Sequence, residues 1–310
     1  MRIVTGMSRV VRRAATAVVA IMAIAGCVPP SINPDGTVAQ DPPIASNGLI
    51  ADGSTLWVAD FIGRQLLKVD PDSGRVLRRV GPAEGMLGVD DGVLTGDGSI
   101  VATAPNDYEV IRIAPDGTVS TLAHLGFKPN PIVADPIDPD RAVIVGGESS
   151  ASTEVVRVFL DGRGPQVLAS GLPALNAFDV GSDGRIWAPT GGLASIFGGT
   201  GGVARIDLET GVATPLPLSF PGEPDRSGFT FPSAAKFGPD GFLYVVQGLD
   251  GAVYRIDPTT GGASRLVDIP GGTGDNLTFL ADGRMFVSNF LGTVAEVLPG
   301  TPATTRVVLG

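Results

Sequence analysis

The chain of 310 residues has one cysteine, one histidine and few aromatic residues, which make up 6% of the total. A single cysteine, Cys27, excludes an internal disulfide. A single histidine, His124, argues against zinc or iron sites, which need several nitrogen or sulfur ligands. No amphipathic helix is recognisable after residue 26, and no G-x-S-x-G sequence is present, which argues against a serine hydrolase of that type. Helical folds, disulfide scaffolds and soft-metal sites are therefore disfavoured.

Positive charge is also scarce. Residues 1–26 hold four arginines and no acid, so residues 27–310 contain 18 basic and 32 acidic side chains, a net charge of about −14. A charge of this sign repels nucleic acid and anionic lipid headgroups, and it attracts cations. We therefore expect no nucleic-acid partner.

The N-terminus resembles a targeting segment. Its arginines precede an apolar run at 14–25, which fits a secretory signal and is too short for a finished transmembrane helix. The run ends in I-A-G-C at 24–27, which resembles a bacterial lipoprotein cleavage box. This pattern predicts a signal peptide over 1–26, a lipidated Cys27 and a proline-rich tether over 27–46. The protein would then face outside the cytoplasm and touch the membrane only through its lipid. An ordinary signal peptide is the alternative, and Met7 could equally be the start.

The remainder repeats one pattern: a polar residue, an apolar strand, a turn that contains aspartate, and further short strands. The aspartates of the first turn are Asp52, Asp97, Asp140, Asp183, Asp240 and Asp282. Their intervals are 45, 43, 43, 57 and 42 residues. A period of about 40–45 residues is typical of a propeller blade. We predict an all-β fold over 47–310, a six-bladed β-propeller of four-stranded antiparallel blades.

The up-and-down order of strands in a blade sorts the loops by face. Both turns of the Asp-Gly type lie on one face. The segment that leads into the first strand and the loop between the second and third strands lie on the other. The longest irregular segments, 146–153, 190–202 and 216–232, fall on this second face, where binding usually resides. Whether a strand around Val38 closes the ring is left open.

Each blade also places an oxygen-bearing side chain where its innermost strand begins, near the axis. These residues are Asn47, Asp90, Asn130, Asn176, Ser233 and Asp275. A ring of carboxylate and amide oxygens suits Ca²⁺, which takes six to eight oxygen ligands and tolerates irregular geometry. Alternatively, the same side chains hydrogen-bond strand ends and trapped water.

The blade pattern resembles the gluconolactonase, senescence-marker protein and paraoxonase superfamily of six-bladed calcium propellers. The resemblance covers Asn47 to Gly310 and is carried by the N-G or D-N start, the Asp-Gly turn and the R-I-D-P-x-T-G stretch. It implies a calcium site at Asp90, Asn176, Ser233, Asp275 and Asn276. Ser233 occupies a position where the family usually has an asparagine. The paired histidines of the paraoxonase branch have no counterpart.

The sequence leaves two functions open, and it does not decide whether the protein is an enzyme. The resemblance implies calcium-dependent hydrolysis of a small lactone or ester, with Asp275 or Asp90 activating water. We expect the protein to be a monomer. The alternative is a non-catalytic propeller that recognises a protein, peptide or glycan through its loop-rich face. A deep acidic axial pocket would favour the enzyme. An exposed apolar patch would favour the binding module, and its residues would be Ile196, Phe197, Phe220, Phe229 and Phe231.

Overall fold

The structure, a computed structural model, describes residues 43–148, 153–197, 200–223 and 225–310. The predicted signal peptide, the lipidation site at Cys27 and residues 28–42 of the predicted tether lie outside the described residues.

Six four-stranded antiparallel sheets follow one another along the chain and confirm the predicted six-bladed propeller. The strands of the first three blades are β1 Ser46–Asp52, β2 Thr55–Asp60, β3 Gln65–Val69, β4 Val76–Val80, β5 Gly92–Leu94, β6 Ile100–Ala104, β7 Glu109–Ile113, β8 Val119–His124, β9 Pro129–Ala134, β10 Ala142–Gly147, β11 Thr153–Phe159 and β12 Gln166–Leu172.

The last three blades continue the same order. Their strands are β13 Asp179–Val180, β14 Ile186–Thr190, β15 Gly202–Ile206, β16 Ala213–Pro215, β17 Pro232–Phe237, β18 Leu243–Gln247, β19 Ala252–Ile256, β20 Ala263–Asp268, β21 Gly274–Phe279, β22 Met285–Asn289, β23 Val294–Leu298 and β24 Thr304–Leu309. Within the described residues the only helical segments are 3-10 turns at Pro82–Glu84 and Gly192–Phe197. None of the described helices is long and apolar enough to span a bilayer.

The repeated aspartates serve the turns. At the turn between β21 and β22, Gly283 has φ of 88°, a left-handed conformation that glycine adopts without steric cost. The carboxylate of Asp282 accepts the backbone N–H of Arg284 at 3.1 Å. Asp183 accepts the N–H of Arg185 in the same way, also at 3.1 Å. The recurrence that revealed the blades therefore reflects turn chemistry rather than a binding role.

Neighbouring blades pack through apolar side chains. Trp57 and Ile100 belong to a cluster between blades one and two, and Trp187 and Tyr254 to one between blades four and five. Burial of each large side chain contributes about 1.5–3 kcal/mol.

The ring closes where blade one meets blade six. Blade six is formed entirely by β21 to β24, and no further strand joins it within the described residues. Leu49 and Leu56 of blade one share an apolar cluster with Phe286 of blade six. The Ser288 hydroxyl of β22 also donates to the Asn47 carbonyl of β1. Arg306 of β24 also donates to the carbonyls of Pro71 and Asp72 in blade one, and Arg284 pairs with the Asp72 carboxylate at 2.9 Å. Within the described residues, packing and these polar contacts, rather than a shared sheet, therefore join the first blade to the last.

Glu296 on β23 joins two arginines in a charged cluster. Its carboxylate accepts hydrogen bonds from Nε of Arg284 at 2.7 Å and from Nε of Arg306 at 3.1 Å. Burial acts to raise the pKa of Glu296, but the hydrogen bonds and charges of the two arginines hold it below its ordinary value. A lowered folded-state pKa stabilises the protein above the unfolded pKa of about 4.3, and this contribution is lost as the pH falls through the folded pKa.

We expect Glu296→Gln to lower the free energy of unfolding at pH 7 by about 2 kcal/mol, because its charge-assisted hydrogen bonds to Arg284 and Arg306 are weakened. Urea denaturation measures the change. The loss should shrink toward zero at acidic pH, where the wild-type carboxyl is itself protonated. The exposed turn residue Glu209 provides the control, since Glu209→Gln should leave stability unchanged. Equal stability of Glu296→Gln and wild type at pH 7 would show that the cluster contributes nothing.

Candidate functional site

A cavity of about 370 Å³ opens on the propeller axis at the face where the first strands begin. Its polar lining residues are Asn47, Asp90, Asn130, Glu148, Asn176 and Asp275. Asn47, Asn130 and Asp275 are each the second residue of a first strand, namely β1, β9 and β21. Side chains alternate along a strand, so the shared position gives these three side chains the same direction, toward the axis.

Three carboxylates share this cavity. Asp90 and Asp275 are 9% and 4% exposed. Burial, followed by the charges of Asp275, Glu148 and Asp91, raises the pKa of Asp90 well above its ordinary value. Burial, followed by the charges of Asp91 and Glu148, does the same to the pKa of Asp275. Strongly perturbed carboxyls in a cleft are characteristic of functional sites.

The carboxylate of Asp275 has no hydrogen-bond donor among the residues that the structure describes, although the residue is almost fully buried. An uncompensated buried charge is unfavourable unless a partner supplies positive charge or hydrogen bonds. The position is therefore suited to an external partner.

Two buried amide oxygens among the residues that line this cavity also lack partners. Asn47 donates Nδ2 to Asp90 Oδ2 at 3.4 Å, and Asn130 donates Nδ2 to Glu148 Oε2 at 3.2 Å. Their Oδ1 atoms are buried and accept no hydrogen bond from the described residues. Leaving such an acceptor unsatisfied costs about 1–3 kcal/mol.

The chemistry of this donor set fits a hard cation. Orphaned amide oxygens and uncompensated carboxylates are the ligands that Ca²⁺ prefers. Among the described residues, no group of three or more histidine, cysteine or acidic side chains is arranged to hold one ion by itself. The amide oxygens of Asn47 and Asn130 would therefore have to complete the coordination.

The structure separates the predicted ligands into two sets. Asp90, Asn176 and Asp275 line the one cavity, although Asn176 Oδ1 already accepts the N–H of Ala177 at 2.8 Å. Ser233 does not line it, because its hydroxyl donates to the carbonyls of Val246 and Gly274.

Asn276 also lies outside the cavity lining. Its Nδ2 donates to Asp91 Oδ1 at 3.1 Å, and its Oδ1 accepts the N–H of Leu277 at 2.8 Å. It therefore belongs to a second layer beneath the ring.

Glu148 is the ring carboxylate that the sequence did not reveal. It follows β10 directly and lies within the segment 146–153 that the sequence predicts to be irregular. The regular spacing from the turn aspartates points only to the start of each first strand, and Glu148 reaches the axis from the end of a second strand. An acid placed immediately after an apolar strand at the loop-rich face is the signal that was available.

The loops of blades four and five form part of the cavity wall. Phe231 lines the cavity with φ of 54°, unusual for a residue other than glycine, and its N–H donates to the Ser195 hydroxyl at 2.6 Å. Phe220 and Phe229 are 6% and 2% exposed and pack edge-on against each other and against Tyr254. These two rings therefore form core rather than an exposed patch.

The remaining members of the predicted patch are Ile196 and Phe197. Ile196 is half-buried, and the side chain of Phe197 lies outside the described part of the structure.

A wider cavity of about 600 Å³ lies among the same loops, lined by Glu223, Arg226 and their neighbours. Its cation is already engaged, since Arg226 Nε donates to Glu223 Oε2 at 2.8 Å. None of the orphaned buried atoms of the described residues belongs to this wider cavity. The axial cavity is therefore the better candidate site.

Fold and site together define a six-bladed β-propeller with an acidic, oxygen-lined cavity on its axis. No protein-family model matches the sequence, and no curated protein matches it either. Solved structures do. A gluconolactonase from Xanthomonas campestris is 18% identical with a TM-score of 0.63, over 91% of this chain and 96% of that one.

Two other enzymes share the fold. A catalytically inactive histidine-to-alanine variant of virginiamycin B lyase from Staphylococcus aureus, with quinupristin, is 16% identical with a TM-score of 0.60, over 86% of this chain and 85% of that one. A luciferin-regenerating enzyme is 13% identical with a TM-score of 0.61, over 80% and 85% of the two chains. The resemblance to gluconolactonase-like propellers is thus confirmed as a similarity of fold.

Proposed function

We propose that the protein is a calcium-dependent hydrolase of small lactones or esters and that the axial cavity is its active site. The observation that carries this proposal is the buried group of three carboxylates beside the unpartnered amide oxygens of Asn47 and Asn130. If these side chains served only to hydrogen-bond one another, both amide oxygens would be paired and Asp275 would have a donor.

The side chains that would hold the ion are Asn47, Asn130, Glu148 and Asp275, with Asp90 and Asn176 beside them. When bound, Ca²⁺ would polarise the carbonyl of the substrate and stabilise the negative charge that develops on its oxygen. The excess of acidic residues over the whole chain favours the approach of a cation.

Asp90 is the better placed of the two predicted bases. Its Oδ2 faces Asn47 Nδ2, which leaves Oδ1 to accept a proton from a water molecule. Burial, followed by the surrounding carboxylates, raises its pKa and so increases its proton affinity, which favours a general base. Asp275 has no hydrogen-bond donor of its own and is assigned to the ion.

The cavity also limits the substrate. A volume of about 370 Å³ accommodates a small molecule and no polymer chain. Leu175, Phe231 and Phe290 add apolar lining to the same cavity, which suits the alkyl or aryl part of a lactone or ester.

Lyase chemistry of the kind named for the structural neighbour is less well supported. That neighbour is inactive when one histidine is replaced by alanine. The sole histidine here, His124, lies on β8, the outermost strand of blade two, with a 72% exposed side chain. Hydrolysis by Asp90 and a bound ion requires no histidine.

We also propose that the protein is exported and anchored through lipid on Cys27 and that it acts as a monomer. The apolar run at 14–25 and the I-A-G-C sequence support the first part. Mass spectrometry of the membrane fraction, with Cys27→Ser as control, should show a lipid-sized increment only in the wild type. Masses that differ only by the exchange of sulfur for oxygen would exclude the anchor.

We expect the purified protein to hydrolyse members of a panel of γ-lactones, δ-lactones and aryl esters. EDTA should reduce the rate about 100-fold or more, because the charge stabilisation at the carbonyl oxygen is lost. Added Ca²⁺ should restore it. Activity on no member of the panel, or activity that EDTA does not change, would contradict the proposal.

A further inference from the structure

A second charged layer lies on the axis directly beneath the acidic ring. Asp91 and Asn276 each follow a ring residue in the chain, and their side chains bond at 3.1 Å. Lys236, on β17, extends its Nζ to 3.7 Å from Asp91 Oδ2. The side chains of Lys236 and Asp91 are 15% and 2% exposed. This layer separates the acidic cavity from a second axial cavity of about 440 Å³, which has mostly aliphatic walls.

Lys236 is the only basic residue that lines either axial cavity within the described parts of the chain. It therefore supplies the one basic side chain along the axis among these residues. Asp91 is held in place by other contacts, since Oδ1 accepts the N–H of Gly92 at 2.9 Å and Oδ2 faces the N–H of Ile132 at 3.5 Å. With its oxygens so occupied, Asp91 is a fixed charge beneath the ring rather than a ligand.

We infer that Lys236 sets the cation affinity of the axial site by neutralising Asp91 and so keeping the metal-free protein stable at the expense of tight binding. This inference rests on the proposed calcium site. Without the ion, the lysine offsets the charge of Asp91, which acts on the ring carboxyls of Asp90 and Asp275. With the ion bound, the same ammonium group repels it. Asp91 and Lys236 are therefore positioning residues with opposite effects on the affinity for Ca²⁺.

The test compares the full chain as wild type, Lys236→Met, Asp91→Asn and the double variant, by calcium titration calorimetry and by thermal unfolding in EDTA. For Lys236→Met we expect a Kd about tenfold lower, from the loss of one nearby like charge at an effective dielectric constant of about 20. Its unfolding midpoint in EDTA should fall by about 6–10 °C, because a buried carboxylate is left unpaired.

Asp91→Asn should raise the Kd for Ca²⁺ about tenfold, and the double variant should return toward the wild-type Kd. Lys68→Met is the matched control, because Lys68 pairs with Asp52 on the outer part of blade one at 2.6 Å and lies away from the axis. Its calcium affinity should equal that of the wild type. A merely structural role for Lys236 would weaken binding on substitution, so a tighter Kd is a distinctive result.

Weaker or unchanged calcium binding by Lys236→Met overturns the inference, provided that the wild type binds Ca²⁺. If the wild type binds none, the proposed calcium site itself fails. The pair is then still tested by the EDTA data, since a double variant no more stable than Lys236→Met would show that the two charges do not interact. If Lys236→Met does not fold, Asp91→Asn decides, because an unchanged Kd in that variant also overturns the inference.

Discussion

Asp275→Asn should abolish calcium binding and lower lactone hydrolysis by about 1,000-fold, yet stabilise the protein in EDTA. The substitution keeps the shape of the side chain and removes its negative charge. In the metal-free protein this carboxylate receives no hydrogen bond from the described residues. Its repulsion by Asp91 and Glu148 disappears with it. We expect the free energy of unfolding in EDTA to rise by about 1 kcal/mol or more.

The sign of the pH dependence gives a further check on Asp275. Its folded-state pKa is raised by burial and by neighbouring carboxylates, so the folded protein binds more protons than the unfolded chain above about pH 4. The stability of the metal-free wild type should therefore fall as the pH rises from about 4 through the folded pKa. Urea denaturation in EDTA at several pH values should show a smaller fall for Asp275→Asn.

Ser233→Ala is the matched control for Asp275→Asn, since the Ser233 hydroxyl bonds two backbone carbonyls rather than the cavity. It should cost about 1 kcal/mol of stability and leave the calcium affinity unchanged. Unimpaired hydrolysis by Asp275→Asn, or lower stability of that variant in EDTA, would refute the role assigned to this carboxylate.

Gly48→Ala should disrupt the site through the backbone. Gly48 lies on β1 between the ring residue Asn47 and the core, and its N–H donates to the Asp90 carbonyl at 2.6 Å. A Cβ at this position would lie 2.8 Å from Asp91 Cα and closer still to the Asp90 carbonyl oxygen. Because the obstructing atoms are backbone, β1 and the Asp90–Asp91 segment must move apart. We expect a loss of about 3 kcal/mol in unfolding free energy and weaker calcium binding.

Gly126→Ala separates this effect from the general consequence of adding a methyl group. A Cβ at Gly126 would meet no atom within 4 Å, and the residue is exposed. Its stability should lie within about 0.5 kcal/mol of the wild type. Equal unfolding midpoints for Gly48→Ala and Gly126→Ala would show that the close approach of β1 to Asp90 and Asp91 is not needed.

The blades were predictable because their signal is local. Each Asp-Gly turn, such as Asp282-Gly283, combines a side-chain acceptor for the next N–H with a residue that tolerates positive φ. The apolar runs on either side have the length of buried strands. The inward direction of the ring side chains followed from the strand register, because Asn47, Asn130 and Asp275 occupy equivalent positions in β1, β9 and β21.

The rest of the site depends on contacts between blades, which the spacing does not encode. Lys236 is three residues beyond Ser233 on β17, and its long side chain reaches Asp91 of another blade. Ser233 occupies a ring position, yet its hydroxyl donates to Gly274 of the next blade. Glu148 arrives from a loop, so no repeat unit predicts it. Side-chain direction at these residues is decided by packing across blades.

Elemental analysis combined with calcium titration of the purified protein tests the central proposal most directly. We predict one Ca²⁺ per chain, bound with a heat that disappears in Asp275→Asn. Wild-type protein that retains no calcium and gives no heat with Ca²⁺, at a pH where its axial carboxyls are ionised, would contradict the account.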